Sequence, residues 1–251
     1  LGILIIRQGG NMAEEEKSVK EIGALGRIIG IFTSPGETFK SIDQKSMWLV
    51  PFLITVILTI GLSFYTMDIV MKDQIARLEA RDLTEQQMEA ARSPMEGAMK
   101  YIGVIATPVG TLIVWSVLAG VLLFGCNTIL GGEGKFKKVF SVVAWSYLVM
   151  MLGGVIKSFL IVSKGTSQGV TTSLALFLPM PGIGEKASLL YRFLSRLDIF
   201  TIWQIALWII GLAVVYRFSP KKIANFVLPL WALYIVVAVL LGSILGPSLG
   251  G

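Results

Sequence analysis

The 251-residue chain is 54% hydrophobic and only 15% charged, with a mean hydropathy of +0.75 and a formal net charge of +6; a soluble domain carries about a quarter charged residues. It has no histidine and one cysteine, Cys126, which leaves out His-ligated zinc, His-assisted nucleophiles, an intrachain disulfide and a thiolate metal cage. Such a composition is that of a polytopic membrane protein and argues against an enzyme.

In chain order, residues 1–11 precede Met12, and Arg7-Gln8-Gly9-Gly10-Asn11 back-translates to a ribosome-binding GGAGG at normal spacing before AUG. Translation is therefore expected to begin at Met12, with 1–11 a mistranslated upstream extension whose apolar start is too short for a signal peptide. Residues 12–46 read as a cytoplasmic tail. Ile22, Leu25, Ile28, Ile29 and Phe32 recur at helical spacing, Ser34-Pro35-Gly36 interrupts them, and Glu37 to Ile42 follows as a second short helix. Both are expected to lie as amphipathic helices along the inner leaflet or to offer a docking surface there.

A hydrocarbon core of about 30 Å needs roughly 20 helical residues. Five apolar runs meet that length, at residues 47–67, 101–126, 139–162, 199–216 and 223–245. They are continuously apolar rather than alternating, so the predicted fold is an all-α, five-span helical bundle within 47–246, flanked by short interfacial helices, and not a β-barrel. Two short connections, 127–138 and 217–222, carry six of the bases: Lys135, Lys137, Lys138, Arg217, Lys221 and Lys222. The two long connections, 68–100 and 163–198, carry five and four in 33 and 36 residues. Positive short loops stay inside, which predicts a cytoplasmic N-terminus and an external C-terminus. The rings Trp48, Tyr101, Trp203 and Tyr216 fall at or near span ends, where headgroup anchoring or packing would place them.

The long connections have structure of their own. Ile69, Lys72, Ile75, Leu78 and Glu79 keep helical period, and Thr84 with Gln87 makes a capping box, followed by a narrow apolar stripe through Met88, Ala91 and Met95. The seven carboxylates there alternate with bases and do not form a calcium loop. Residues 171–178 are apolar, too short to cross and ended by Pro179-Met180-Pro181-Gly182, so they should lie in the interface or dip in and return. The turn pattern Leu189, Leu190, Phe193, Leu194, Leu197 follows, with Arg192 and Arg196 opposite.

Charge at bilayer depth is costly and often functional, which singles out three polar residues in or beside the spans. Lys157 lies six residues before Ser163 and can snorkel to the interface or take a buried role. Asp198 is placed to cap the fourth span, and Gln204, two turns deeper, to make a helix–helix hydrogen bond. Gly120, Gly125 and Gly153-Gly154 would allow close helix approach, and Pro108 and Pro229 would kink their spans. No catalytic, cofactor-binding or metal-ligating set emerges; no cofactor, metal or nucleic-acid partner is expected.

The run Gly26-Arg27-Ile28-Ile29-Gly30-Ile31-Phe32-Thr33-Ser34-Pro35-Gly36-Glu37-Thr38-Phe39 with Trp48-Leu49-Val50-Pro51, the Gly131-Gly132 turn before Lys135-Phe136-Lys137, and Leu197-Asp198-Ile199-Phe200-Thr201-Ile202-Trp203 resemble bacterial members of the YIP family, the Ypt/Rab-interacting proteins. The resemblance spans roughly 25–245. It implies a five-span bundle with a cytoplasmic N-terminus, an association in eukaryotes with Rab-type GTPases and vesicle traffic, and no catalytic residues to carry over. The expected function is a non-enzymatic protein of the bacterial cytoplasmic membrane that scaffolds or modulates membrane components. Its contact residues would be Arg27, Lys135, Lys137 and Lys138, and its partners the lipid bilayer and a membrane protein or a further copy. The alternative is a transporter accessory or permease component for a small molecule or lipid, with 171–178 as gate and Lys157, Asp198 and Gln204 lining the path.

Overall fold

The computed structural model describes residues 23–80, 83–93, 97, 101–182 and 185–244. The upstream extension, residues 12–22 of the tail with Ile22 among them, Met95 and the last residue of the fifth predicted span lie outside them. The described chain is all-helical apart from an isolated antiparallel bridge, Ser173 to Asp198. Five helical stretches are long and apolar enough to cross a membrane: Leu49–Glu79, Ile102–Ile129, Phe136–Lys164, Ile199–Tyr216 and Pro220–Gly242.

α1 (Ala24–Thr33) and α2 (Pro35–Gln44) form a tight hairpin. Gly30 permits it, since a Cβ there would stand 2.3 Å from Thr38 Oγ1. The period-3.6 pattern in this segment marks an apolar face without saying what covers it. Much of that face packs on protein rather than on a leaflet. α2 lies along α9 (Ile199–Tyr216) and touches α6, burying Thr38, Phe39, Ser41 and Ile42. The Phe32 ring meets Trp203 edge-on at 5.8 Å, thirteen residues or about 20 Å from the Tyr216 end. Leu25 and Ile29 stay exposed on the outer side of α1.

α3 (Leu49–Glu79) has 31 residues, longer than predicted because no glycine or proline follows Gly61 to stop it before Glu79. The helical period seen at 69–79 is therefore the continuation of the first span. α4 (Glu85–Arg92) begins with the expected capping box, Thr84 and Gln87 each bonding the other's backbone N–H. α5 (Ile102–Phe124) holds Pro108 and passes into a π-helical turn, Gly125–Ile129.

The third span is two helices, α6 (Phe136–Ser146) and α7 (Leu148–Lys164). At Tyr147 the N–H is shared between the carbonyls of Val143 and Ala144, at 3.1 and 3.3 Å; such tightening toward a three-residue turn breaks the regular ladder. α6 is the most enclosed element, with every residue from Val139 to Ser146 buried. After α8 (Leu189–Ser195) and α9, α10 (Pro220–Ile244) carries Pro229. Without a hydrophobic drive between helices in lipid, small residues decide which backbones approach. A Cβ on Gly125 would lie within the Phe226 ring and one on Gly211 against Val142 and Phe39. Gly154 is only in ordinary contact with Leu62, and Gly120 faces open space, so the expected close approach at Gly120 is absent.

Candidate functional site: the two ends of the bundle

The predicted polar residues sort to opposite ends. At one end, Lys135, Lys137 and Lys138 before and within the first turn of α6 lie beside Arg217, Lys221 and Lys222 between α9 and α10. Lys222 joins the two loops, its Nζ donating to the Leu130 carbonyl at 2.9 Å and standing 3.5 Å over the Phe218 ring. The loop is pinned twice more. Asn127 accepts from the Gly134 N–H at 3.0 Å and donates to its carbonyl at 3.1 Å. Tyr216 lies beneath Gly132 and Gly134, where a Cβ on either would fall 2.3–2.4 Å from its side chain. Tyr216, the last residue of its span, is thus buried packing under a glycine turn. Gly131 supplies the left-handed backbone at φ 68° that the turn requires.

Lys135 and Lys137 are exposed, while Lys138 is ion-paired with Asp43 at the foot of α2. Arg27 is not a surface residue. It is 2% exposed, and its guanidinium donates to Ser41 Oγ at 3.1 Å and to the carbonyls of Ser41 and Lys45 at 3.1 and 3.0 Å. That fork ties the first turn of α1 to the last of α2. Of the contact residues expected from the sequence, Arg27 is thus buried and Lys138 ion-paired, and Lys135 and Lys137 stand exposed.

At the other end Lys157 and Asp198, forty-one residues apart, form one unit. Lys157 Nζ donates to Asp198 Oδ2 at 3.0 Å. The hydroxyl of Thr172 donates to the same oxygen, and Oδ1 accepts the Phe200 N–H at 2.9 Å as the N-cap of α9. Burial alone would raise the Asp198 carboxyl, but the hydrogen bonds from Thr172 and Lys157, the lysine charge and the Phe200 N–H outweigh it and hold the group below its ordinary range. Lys157 is therefore ion-paired even though its side chain remains 38% exposed. A second carboxylate clamp, not singled out in the sequence, closes the same end. Asp73 on the long extension of α3 accepts from the hydroxyls of Thr166 and Ser167 and from the Ser167 N–H. Its signal was helical phase: Thr55, Thr59, Thr66 and Asp73 recur along α3.

Gln204 is 7% exposed on α9, yet its Nε2 finds no hydrogen-bond partner among the described residues. The helix–helix bond expected of that donor is not made. The apolar run at 171–178 neither crosses nor returns through the bundle. It forms a 3-10 turn, Leu174–Phe177, held by Leu174 N–H to the Leu197 carbonyl at 3.1 Å. Among the described residues no group of three or more Cys, Asp or Glu could hold a metal.

The comparisons with known proteins agree with this architecture. The Yip1 domain model matches residues 29–241. The chain is 24% identical over 192 residues to the membrane protein YknW of Bacillus subtilis, covering 74% of this chain and 76% of that one. It is 26% identical over 133 residues to the uncharacterized protein MJ0794 of Methanocaldococcus jannaschii, covering 53% of this chain and 86% of that one. No solved structure matches. With five candidate spans in the expected order and a family match running from within α1 to within α10, the chain belongs to the Yip1 domain family.

Proposed function

We propose that this Yip1-domain membrane protein is a non-enzymatic scaffold that holds another membrane component against its basic end. That end is proposed to face the cytoplasm of a bacterial cell, with the C-terminus outside, on the strength of the six bases in the two short loops. The observation that carries the reading is how the polar groups are used. Arg27, Asp73, Lys157 and Asp198 are engaged in tying elements together, whereas Lys135 and Lys137 stand exposed where a loop pinned by Asn127, Tyr216 and Lys222 enters α6. A rigid loop presenting unspent cations suits docking, because little ordering entropy is lost on contact. The absence of histidine and the single buried cysteine support a role without covalent or acid–base chemistry.

The test is a photo-crosslinking amino acid at Lys137 in native membranes, with a second at Glu89 on α4 as control. A discrete protein adduct at 137 that is lost in the Lys135→Gln variant supports the scaffold. Adducts to lipid alone, or equal adducts at both positions, would overturn it. Solute or lipid movement in vesicles reconstituted with the wild-type chain, reduced by Lys157→Ala, would favour transport instead.

A further inference from the structure

The turn Leu174–Phe177 and α8 pack on each other, and α8 packs on α10, forming a shelf at the end of the bundle that carries the Lys157–Asp198 clamp. What the shelf turns outward is apolar: Phe177 is 81% exposed, Leu176 61%, Leu189 60% and Leu190 57%. A helix resting against water would present its polar side there.

Two observations identify what covers it. First, the shelf continues a lipid-facing surface. α10 is a candidate span whose own exposed face includes Val236, Val237 and Leu241, and Arg192 on α8 reaches across to α10, its Nη1 3.2 Å from the Cβ position of Gly242. Second, the charge on the shelf is net positive. From residue 174 to 197 the bases Lys186, Arg192 and Arg196 face a single carboxylate, Glu185, whose Oε2 accepts the Gly182 N–H at 2.9 Å. Arg192 donates through Nε to the Ala187 carbonyl at 3.1 Å, while the side chains of Lys186 and Arg196 make no hydrogen bond or ion pair among the described residues. Bulky apolar groups beside unspent cations are the pattern of an element lying in the plane of an anionic interface, with its carbons among the acyl chains and its cations at the phosphates.

We infer that the Leu174–Phe177 turn and α8 form a membrane-parallel seat for anionic phospholipid, with Lys186 and Arg196 as the headgroup contacts. The inference rests on the membrane-spanning architecture and is independent of the scaffold reading, which concerns the other end.

The test uses the full chain with Cys126→Ser, spin-labelled singly at Leu176→Cys, Leu190→Cys and, as a water-facing control, Glu89→Cys, in nanodiscs of phosphatidylcholine with or without phosphatidylglycerol. At 176 and 190, collisions with oxygen are expected to exceed those with a water-soluble nickel chelate, and at 89 the reverse. Spin-labelled phosphatidylglycerol should associate with the unlabelled protein in preference to the phosphatidylcholine analogue. Lys186→Gln and Arg196→Gln should each lower that preference, by up to about fivefold per cation. High nickel accessibility at 176 and 190 would overturn the inference by placing the shelf in water. Low accessibility to both reagents with dipolar broadening would overturn it by placing a second copy there. An unchanged headgroup preference in both glutamine variants would overturn the anionic assignment.

Discussion

Gly153→Ala tests the packing beneath the Lys157–Asp198 clamp. The added methyl would stand 2.6 and 2.7 Å from two carbons of the Phe200 ring, where ordinary carbon contacts fall near 3.5–4.0 Å. About 1 Å of separation is therefore needed. Phe200 has little room to retreat, being 9% exposed, with its N–H held by Asp198 Oδ1 at 2.9 Å. Gly153 is also one helical turn before Lys157, so movement of α7 away from α9 falls on the 3.0 Å ion pair. Overpacking of this kind costs about 1–3 kcal/mol. Equilibrium unfolding of the full chain in mixed micelles should register that loss for Gly153→Ala. Adding Phe200→Ala should recover at least about 1 kcal/mol relative to additive behaviour, since the ring that obstructs the methyl is gone. A Gly153→Ala variant within about 0.3 kcal/mol of wild type, or strictly additive with Phe200→Ala, would refute the contact.

Two further predictions concern groups that tie elements together. Because the folded protein holds the Asp198 carboxyl below its ordinary range, its contribution is complete above the unfolded value of about 3.9 and is lost as pH falls through the lower folded value. The wild-type melting temperature should therefore drop more steeply below about pH 4 than that of Asp198→Asn, and parallel profiles would count against the assignment. Arg27→Met removes the charged side-chain donor to Ser41 Oγ and to the Ser41 and Lys45 carbonyls, at a cost of about 1–3 kcal/mol. Hydrogen exchange should quicken in α1 and α2 while α9 and α10 keep their protection; uniform quickening through the bundle would contradict a local role.

Much of the candidate site was legible as residue types but not as partnerships. Lys157, Asp198 and Gln204 are conspicuous because polar groups among apolar runs are expensive in lipid, yet nothing in the local pattern says that the first two meet and that the third leaves its Nε2 without a partner among the described residues. Arg27 stands among apolar residues at helical spacing and read as a surface cation; its burial depends on Ser41 and Lys45 returning to it across the hairpin. Asp73 was hidden among seven carboxylates of an acidic connection, and only the placement of Thr166 and Ser167 distinguishes it.

What the sequence by itself determined is the set of properties that sum along the chain. Length and hydropathy require five helices, because backbone polar groups in hydrocarbon must be satisfied within the helix itself; loop bases separate the two ends; Thr84 with Gln87, and Asp198, cap the helices they precede. Tertiary structure alone decided what depends on two distant segments sharing space. It set the α1–α2 hairpin against α9, broke the third span at Tyr147, turned two carboxylates into clamps, and placed the glycine turn on Tyr216. In lipid, apolar faces are nearly equivalent as partners, so the choice among them falls to small-residue contacts and a few hydrogen bonds whose two halves lie far apart in the chain.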